Sequence, residues 1–367
     1  MKNKKLRRIF DAFLVPVLAI ISGLIVMAVM IRISGAPIIE SYQVLLEKSF
    51  GCEKIGFNCP LISTLERATP IILTGLSATV AFQSGMFSIG QEGQFLMGSV
   101  MAAWLGYAIQ LPFGLHQLVI IAASMAAGAA YGYIPGLLKV KLKVNELLST
   151  IMLNLVAIQI FIYLLEYPLR ADRTEVAHSH IIEPTAILPT FFRGAKFGWG
   201  FVIAILAVIG VYLYLWKTKS GYEMRMAGQA SRFALFGGIP SDKAAIRAMI
   251  ISGALSGLAG AVEVLGVHRR IMGGFATGIG FDGLTAAILG QRNPFGALIV
   301  AILFAGIKLG SQLGLQLKFG IPRELGGTIT GFIVFFVAAR KFYENNIERV
   351  REWFDKRRAA KLEEEVN

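Results

Sequence analysis

The sequence predicts an all-α, polytopic membrane protein, and three observations lead there. Long runs lack ionisable side chains: Ala68–Gln91, Gly93–Leu138, Leu147–Leu165 and Phe197–Trp216 contain no Asp, Glu, Lys or Arg. Each is long enough to cross a hydrocarbon core of about 30 Å as a helix. Charged residues are 16% of the 367, where a soluble domain carries about 25%. The net charge of +13 is gathered in short connections between the apolar runs, which argues against a nucleic-acid-binding surface. A soluble enzyme, a disordered chain and a disulfide scaffold are excluded.

Apolar runs bounded by charge, Pro or Gly give about ten segments, near 14–33, 69–84, 91–109, 115–135, 147–166, 198–216, 248–267, 280–290, 294–311 and 323–340. Lys2–Arg8 before an apolar run resembles a signal peptide. The run Leu14–Ile31 is long and no small-residue cleavage site follows, so a retained first span is expected. The third run follows the break Gly85-Met86-Phe87-Ser88, and the fourth ends at Pro135. The fifth opens with Asn145-Glu146, a cap followed by a first-turn carboxylate. Residues 280–290 are too few to cross alone and read as half of a broken span. With the N-terminus inside, 23 of the 36 Lys and Arg fall on inner connections and 12 on outer ones, so both termini are expected in the cytoplasm. Residues 1–340 form the transmembrane domain and 341–367 a charged tail. In that tail Ile347, Val350, Trp353 and Phe354 recur at helical spacing.

Ile89-Gly90-Gln91-Glu92-Gly93 and Ile279-Gly280-Phe281-Asp282-Gly283 share the pattern Ile-Gly-x-acid-Gly, each opening an apolar helix after a Gly-rich break. Under the expected orientation the two run in opposite directions, so 69–166 and 248–340 form an inverted-topology repeat whose broken helices meet at the substrate path. Glu92 and Asp282 sit where a carboxylate meets free helix N–H groups, in a capping role or in contact with substrate. Glu263, after fifteen uncharged residues, either lines the path or pairs with Arg269 or Arg270 near the outer end. Lys308 could snorkel to an interface. Asn154 and Gln159 lie mid-span, where such amides bridge helices. The candidate substrate pathway is Gln91, Glu92, Asn154, Glu263, Asp282 and Asn293. The stretch 268–279, with Gly273, Gly274 and Gly278, is either an outer loop or a re-entrant segment lining a water-filled cavity. Cys52 and Cys59 share one polar connection, paired if it faces an oxidising compartment and free thiols otherwise.

No phosphate-cradling Gly-x-x-x-x-Gly-Lys loop and no metal-ligand spacing occurs, so neither a metal site nor a cofactor bound by this chain is expected. An enzyme is not expected. The connection 217–247 carries six basic residues around Ala234, Leu235, Phe236 and Ile239, the pattern of an amphipathic helix that docks into a partner's groove or rests on lipid.

Within that connection, Glu223-x-x-x-Ala227-Gly228 followed by Gly238-Ile239-Pro240 is similar to the cytoplasmic motif by which permease subunits of ABC importers engage their ATPase. It departs from the general form, lacking an Ala-Ala pair and placing Pro directly after Ile, as in the ribose, branched-chain amino-acid and nucleoside branch. Gly85–Gly93, Val144–Asn154 and Ala287–Pro294 also resemble that branch, its nucleoside members most closely. The likeness runs from about residue 60 to 340. It implies a plasma-membrane permease that imports nucleosides, or a simple sugar, by alternating access. Implied partners are cytoplasmic ATPase subunits holding ATP-Mg, a second related permease, an extracytoplasmic substrate-binding lipoprotein and membrane lipid. ATPase coupling would rest on Glu223, Ala227, Gly228, Leu235, Phe236, Gly238, Ile239 and Pro240. The alternative from the repeat and Glu263 alone is an ion-coupled secondary transporter working without an ATPase.

Overall fold

The computed structural model describes residues 21–52, 59–171, 176–192, 194–275, 278–322, 328 and 331–332. Among them the regular elements are helices, with isolated bridges in place of strands. The chain forms two compact units: Met1–Leu45 with Gly310–Asn367, and Leu46–Leu309.

In the first unit, α1 (Ile21–Ile33) meets α2 (Ile38–Phe50) at a bend of 118°. Gly35, with φ +79°, supplies the left-handed residue that this turn needs. The Tyr42 hydroxyl donates to the Leu24 carbonyl across the bend, and Lys318 pairs with Glu40 at 2.7 Å.

The second unit contains α3 (Pro60–Gln83), α4 (Gln91–Ala108), α5 (Leu115–Leu142), α6 (Glu146–Glu166), α7 (Trp199–Lys217), α8 (Lys219–Gln229), α9 (Ser231–Phe236), α10 (Ser241–Val262), α11 (Ile279–Leu289) and most of α12 (Pro294–Gly310). Its centre is α10, packed against α3, α4 and α5. In lipid there is no hydrophobic gain from hiding one helix against another, so tight association comes from small residues that let backbones approach. A methyl at Gly98 would stand 2.5 Å from the Cα of Gly257, and one at Gly128 would stand 2.8 Å from that same atom. A serine cluster completes the seam: Ser77 Oγ lies 2.8 Å from Ser252 Oγ and 2.9 Å from Ser256 Oγ.

Among the described residues, five helices are long and apolar enough to cross a membrane: Leu115–Leu142, Glu146–Glu166, Trp199–Lys217, Ser241–His268 and Pro294–Phe319. The bent pair α1–α2 makes a sixth if it counts as one span. Helices α3 and α4 reach 24 and 18 residues but are too polar to pass that test, because they lie inside the bundle. Every residue of α3 from Ala68 to Phe82 is buried, with Thr69, Thr74, Ser77 and Thr79 among them.

Boundaries differ from the sequence expectation where charge or proline suggested a stop. Helix α3 starts at Pro60 rather than near 69, with Glu66 and Arg67 inside it, because proline fits a first turn that needs no N–H. Helix α5 runs through Pro135 to Leu142, and Lys139 and Lys141 in its last turn suit the negative end of the dipole. The expected segment 323–340 lies outside the described residues apart from 328, 331 and 332. So do residues 1–20 and the tail 341–367. Cys52 and Cys59 are joined as a disulfide.

Candidate functional site

The chain stops being helical after Gln83 and resumes at Gln91, and polar groups of this break are met from outside it. Helix α6 begins with Asn145, whose Oδ1 accepts from Leu147 N at 2.9 Å, as the cap reading expected. One and two turns on, Thr150 and Asn154 face the break. Thr150 Oγ1 accepts from Ile89 N at 3.1 Å, and Asn154 Nδ2 donates to Ile89 O at 2.7 Å. Asn154 Oδ1 accepts from Gly93 N at 2.9 Å. The N-cap of α4 is Gly90, which has no side chain to serve its helix, so α6 supplies the acceptor in its place.

Helix α11 repeats the arrangement with a different acceptor. Its N-cap is also a glycine, Gly278, with φ +88°. Here the acceptor is Glu92: one carboxylate oxygen takes Gly278 N and the other takes Gly280 N, both at 2.7 Å. A carboxylate on two N–H groups at the positive end of a helix is a strong, charge-assisted arrangement. Gly280 permits it by close approach, since a methyl there would stand 2.6 Å from Glu92 Cα. Glu92 therefore caps, but it caps α11 and not its own helix. Asp282, expected as the cap of α11, instead forms an ion pair with Lys308 that ties α11 to α12. Lys308 thus has an acidic partner within the bundle. The two motif copies also sit differently: Gly90 is an N-cap, whereas Gly280 is the second residue of its helix.

Four of the six candidate pathway residues thus gather where α4 and α11 begin: Gln91, Glu92, Asn154 and Asp282. The other two lie elsewhere. Glu263 is buried in the π-helical turn Glu263–His268 and pairs with His268 at 3.2 Å, rather than with Arg269 or Arg270. Arg269 is held with φ +57°, its carbonyl accepting from Ile182 N. Asn293 caps α12, accepting from Phe295 N at 3.0 Å. Gln159 faces outward, exposed on α6 together with Met152, Leu155 and Val156. The stretch after His268 is tied to residues 177–182 by its backbone, while Arg269, Gly273 and Gly274 stay exposed. Ser179 N donates to Ile271 O at 2.9 Å and Gly273 N to Ala177 O at 3.0 Å, which satisfies backbone that lipid could not.

Residues 218–240 form a second feature. Thr218 caps α8 by accepting from Gly221 N at 3.1 Å. Glu223 pairs with Arg247 of α10 at 2.7 Å, Ala227 is buried, and Gly228 lies against the end of α3. A methyl at Gly228 would stand 2.6 Å from Gly85 N. These three residues anchor α8 to the bundle. The next turn projects. In α9 Phe233, Leu235 and Phe236 are 67%, 60% and 93% exposed, while Ala234 is buried. The helix ends in a Schellman motif: Gly238 N donates to Leu235 O at 3.0 Å and Ile239 N to Ala234 O at 2.9 Å, with Gly238 at φ +75°. Pro240 follows as a stop. Phe233 was missed by the sequence reading. Its apolar type beside Arg232 was the available signal.

The anchored and projecting parts connect to the helix breaks. Gly228 rests on Gly85, which opens the break, and the break leads through Ile89 into α4, whose Glu92 holds the start of α11.

Residues 61–338 match the family described as "Branched-chain amino acid transport system / permease component". A guanosine ABC transporter permease of Bacillus subtilis is 34% identical over 89% of this chain and 93% of its own length. A nucleoside ABC transporter permease of Lactococcus lactis is 30% identical over 93% of the chain and 94% of its own length. A glucose ABC transporter permease of Haloferax volcanii is 27% identical over 94% and 92% respectively. No solved structure matches the chain. An all-helical bundle with several apolar spans, a projecting apolar turn set among basic residues, and a family match across three quarters of its length lead to one conclusion: the chain is a multi-pass membrane permease and belongs to the permease components of the branched-chain amino acid transport type.

Proposed function

We propose that the chain is the membrane-spanning subunit of an ATP-driven nucleoside importer, and that α9 is its contact with the ATPase. The observation that carries this reading is the continuity from α9 through Gly228 and Gly85 to the junction of α4 and α11. ATPase closure moves α9, and the break at Gly85 passes the displacement to α4. Glu92 then releases or regrips α11, opening the path alternately to the outside and the cytoplasm. Such coupling needs contacts that differ between the two states, and the Glu92 bonds are of that kind. Gln91, Glu92, Asn154 and Asp282 belong to this gate, while Glu263 and Asn293 stand at its margins.

The same reading takes the chain as ten segments with an inverted repeat, both termini inside, and ATP-Mg held by the partner ATPase alone. The Cys52–Cys59 disulfide supports an outer, oxidising location for that connection. A second, related permease is supported by Gln159, because an amide turned outward among apolar residues of a span gains from a partner helix. Substrate would arrive from an extracytoplasmic binding lipoprotein. Nucleosides are favoured over sugars because two of the relatives that align with most of this chain are named for guanosine and nucleosides. An ion-coupled carrier has no use for a projecting Phe236.

The test is uptake by proteoliposomes holding the assembled complex. ATP-dependent accumulation of guanosine supports the proposal. Accumulation driven by an ion gradient through this chain alone would refute it.

A further inference from the structure

Most buried polar groups around the two helix starts are matched. Asn154 and Thr150 satisfy the break, Glu92 satisfies α11, and the serines at the α3–α10 seam satisfy one another. Two side chains of α4 stand apart. Gln91 and Gln94 are buried, and neither atom of either amide has a hydrogen-bond partner among the described residues. Three residues apart, they lie on neighbouring positions of one helix face. The Gln94 amide nitrogen rests against two glycines: a methyl at Gly90 would stand 3.3 Å from it and one at Gly132 3.2 Å. Gln91 adjoins the crossing with α11, where a methyl on Gly280 would stand 2.8 Å from its carbonyl carbon.

Unmatched buried amides lower stability, and Leu or Met would fill the same space without that cost. Their place in the first turns of α4, the helix that the proposed mechanism moves, gives them a use. Each amide offers a donor and an acceptor side by side, which complements a flat solute edge carrying an acceptor beside a donor. A purine presents such an edge, and glutamine reads it in pairs of bonds. An aliphatic side chain offers no such edge.

We propose that Gln91 and Gln94 form the recognition edge for the base of the transported solute, uncovered when the helices packed on α4, α5 beside Gln94 and α11 beside Gln91, move off it. The inference rests on the nucleoside-import reading above and adds the residues that read the base.

The experiment uses the complete complex in proteoliposomes, with Gln91→Met and Gln94→Met tested separately. Melting temperature should hold or rise by about 2 °C in each variant, because an unmatched amide is replaced by an apolar group of similar size. Guanosine uptake should fall roughly tenfold, the effect of losing one well-made polar contact. The order of preference among guanosine, adenosine and uridine should change, which a packing role would not cause. Wild-type uptake rates and wild-type base preference in both variants would overturn the inference. Failure of both variants to assemble would overturn it too, since the amides would then hold structure. If the wild-type complex carries no nucleoside at all, the underlying reading fails, a result separable from unchanged variants of a working importer.

Discussion

Glu92 shows how a residue can be conspicuous in sequence while its role stays hidden. Its place in the first turn of an apolar helix announces a carboxylate that meets free N–H groups. The N-cap of the helix it serves lies 186 residues later, and no local pattern names that partner. Asn154 behaves likewise, since its mid-span position marks a bridge but not which break it closes. Glu263 was legible as an unusual charge, yet its partner is His268, because the π turn brings that ring back over the carboxylate. The Glu92 geometry makes a definite prediction. Glu92→Gln keeps the size but turns one donor toward a donor, leaving an N–H of α11 unmatched, and should cost about 1–3 kcal/mol. Thermal unfolding of the purified permease should register the loss, and ATP-driven uptake should fall with it.

At the level of elements, the connection 217–247 was legible as a basic segment holding an apolar set, and α9 fulfils that pattern. The division of labour within it was not legible. Glu223, Ala227 and Gly228 hold α8 to α10 and to the end of α3, whereas Phe233, Leu235 and Phe236 face outward. Charge and hydropathy cannot separate these sets, because the contacts that anchor α8 are made to α10 and to the end of α3, which are distant in sequence. Two variants should therefore part company. Phe236→Ala removes exposed surface and should leave stability within about 0.5 kcal/mol while uptake is lost. Gly228→Leu drives a side chain into Gly85 and should lower the melting temperature as well as transport. Parallel melts and uptake assays distinguish them, and equal melting temperatures would contradict the anchoring role.

For the molecule as a whole, the apolar segments were legible because lipid imposes a length and forbids charge. The buried interior was less so. Helices α3 and α4 look too polar to span because bundle packing, not lipid, surrounds them, and the glycine approaches on α10 depend on helices distant in sequence. Gly257→Leu, placed where α10 meets α4 and α5 backbone to backbone, should prevent the bundle from closing, read as loss of folded protein on extraction.

The central claim is that α9 is the seat of the ATPase, and cysteine labelling tests it most directly. The chain has only Cys52 and Cys59, which are bonded to each other, so Phe236→Cys provides one addressable thiol. In inside-out vesicles a membrane-impermeant maleimide should modify residue 236 when the ATPase subunits are stripped away and fail to modify it when they are bound. Equal labelling in both states, or labelling only in right-side-out vesicles, would contradict the account.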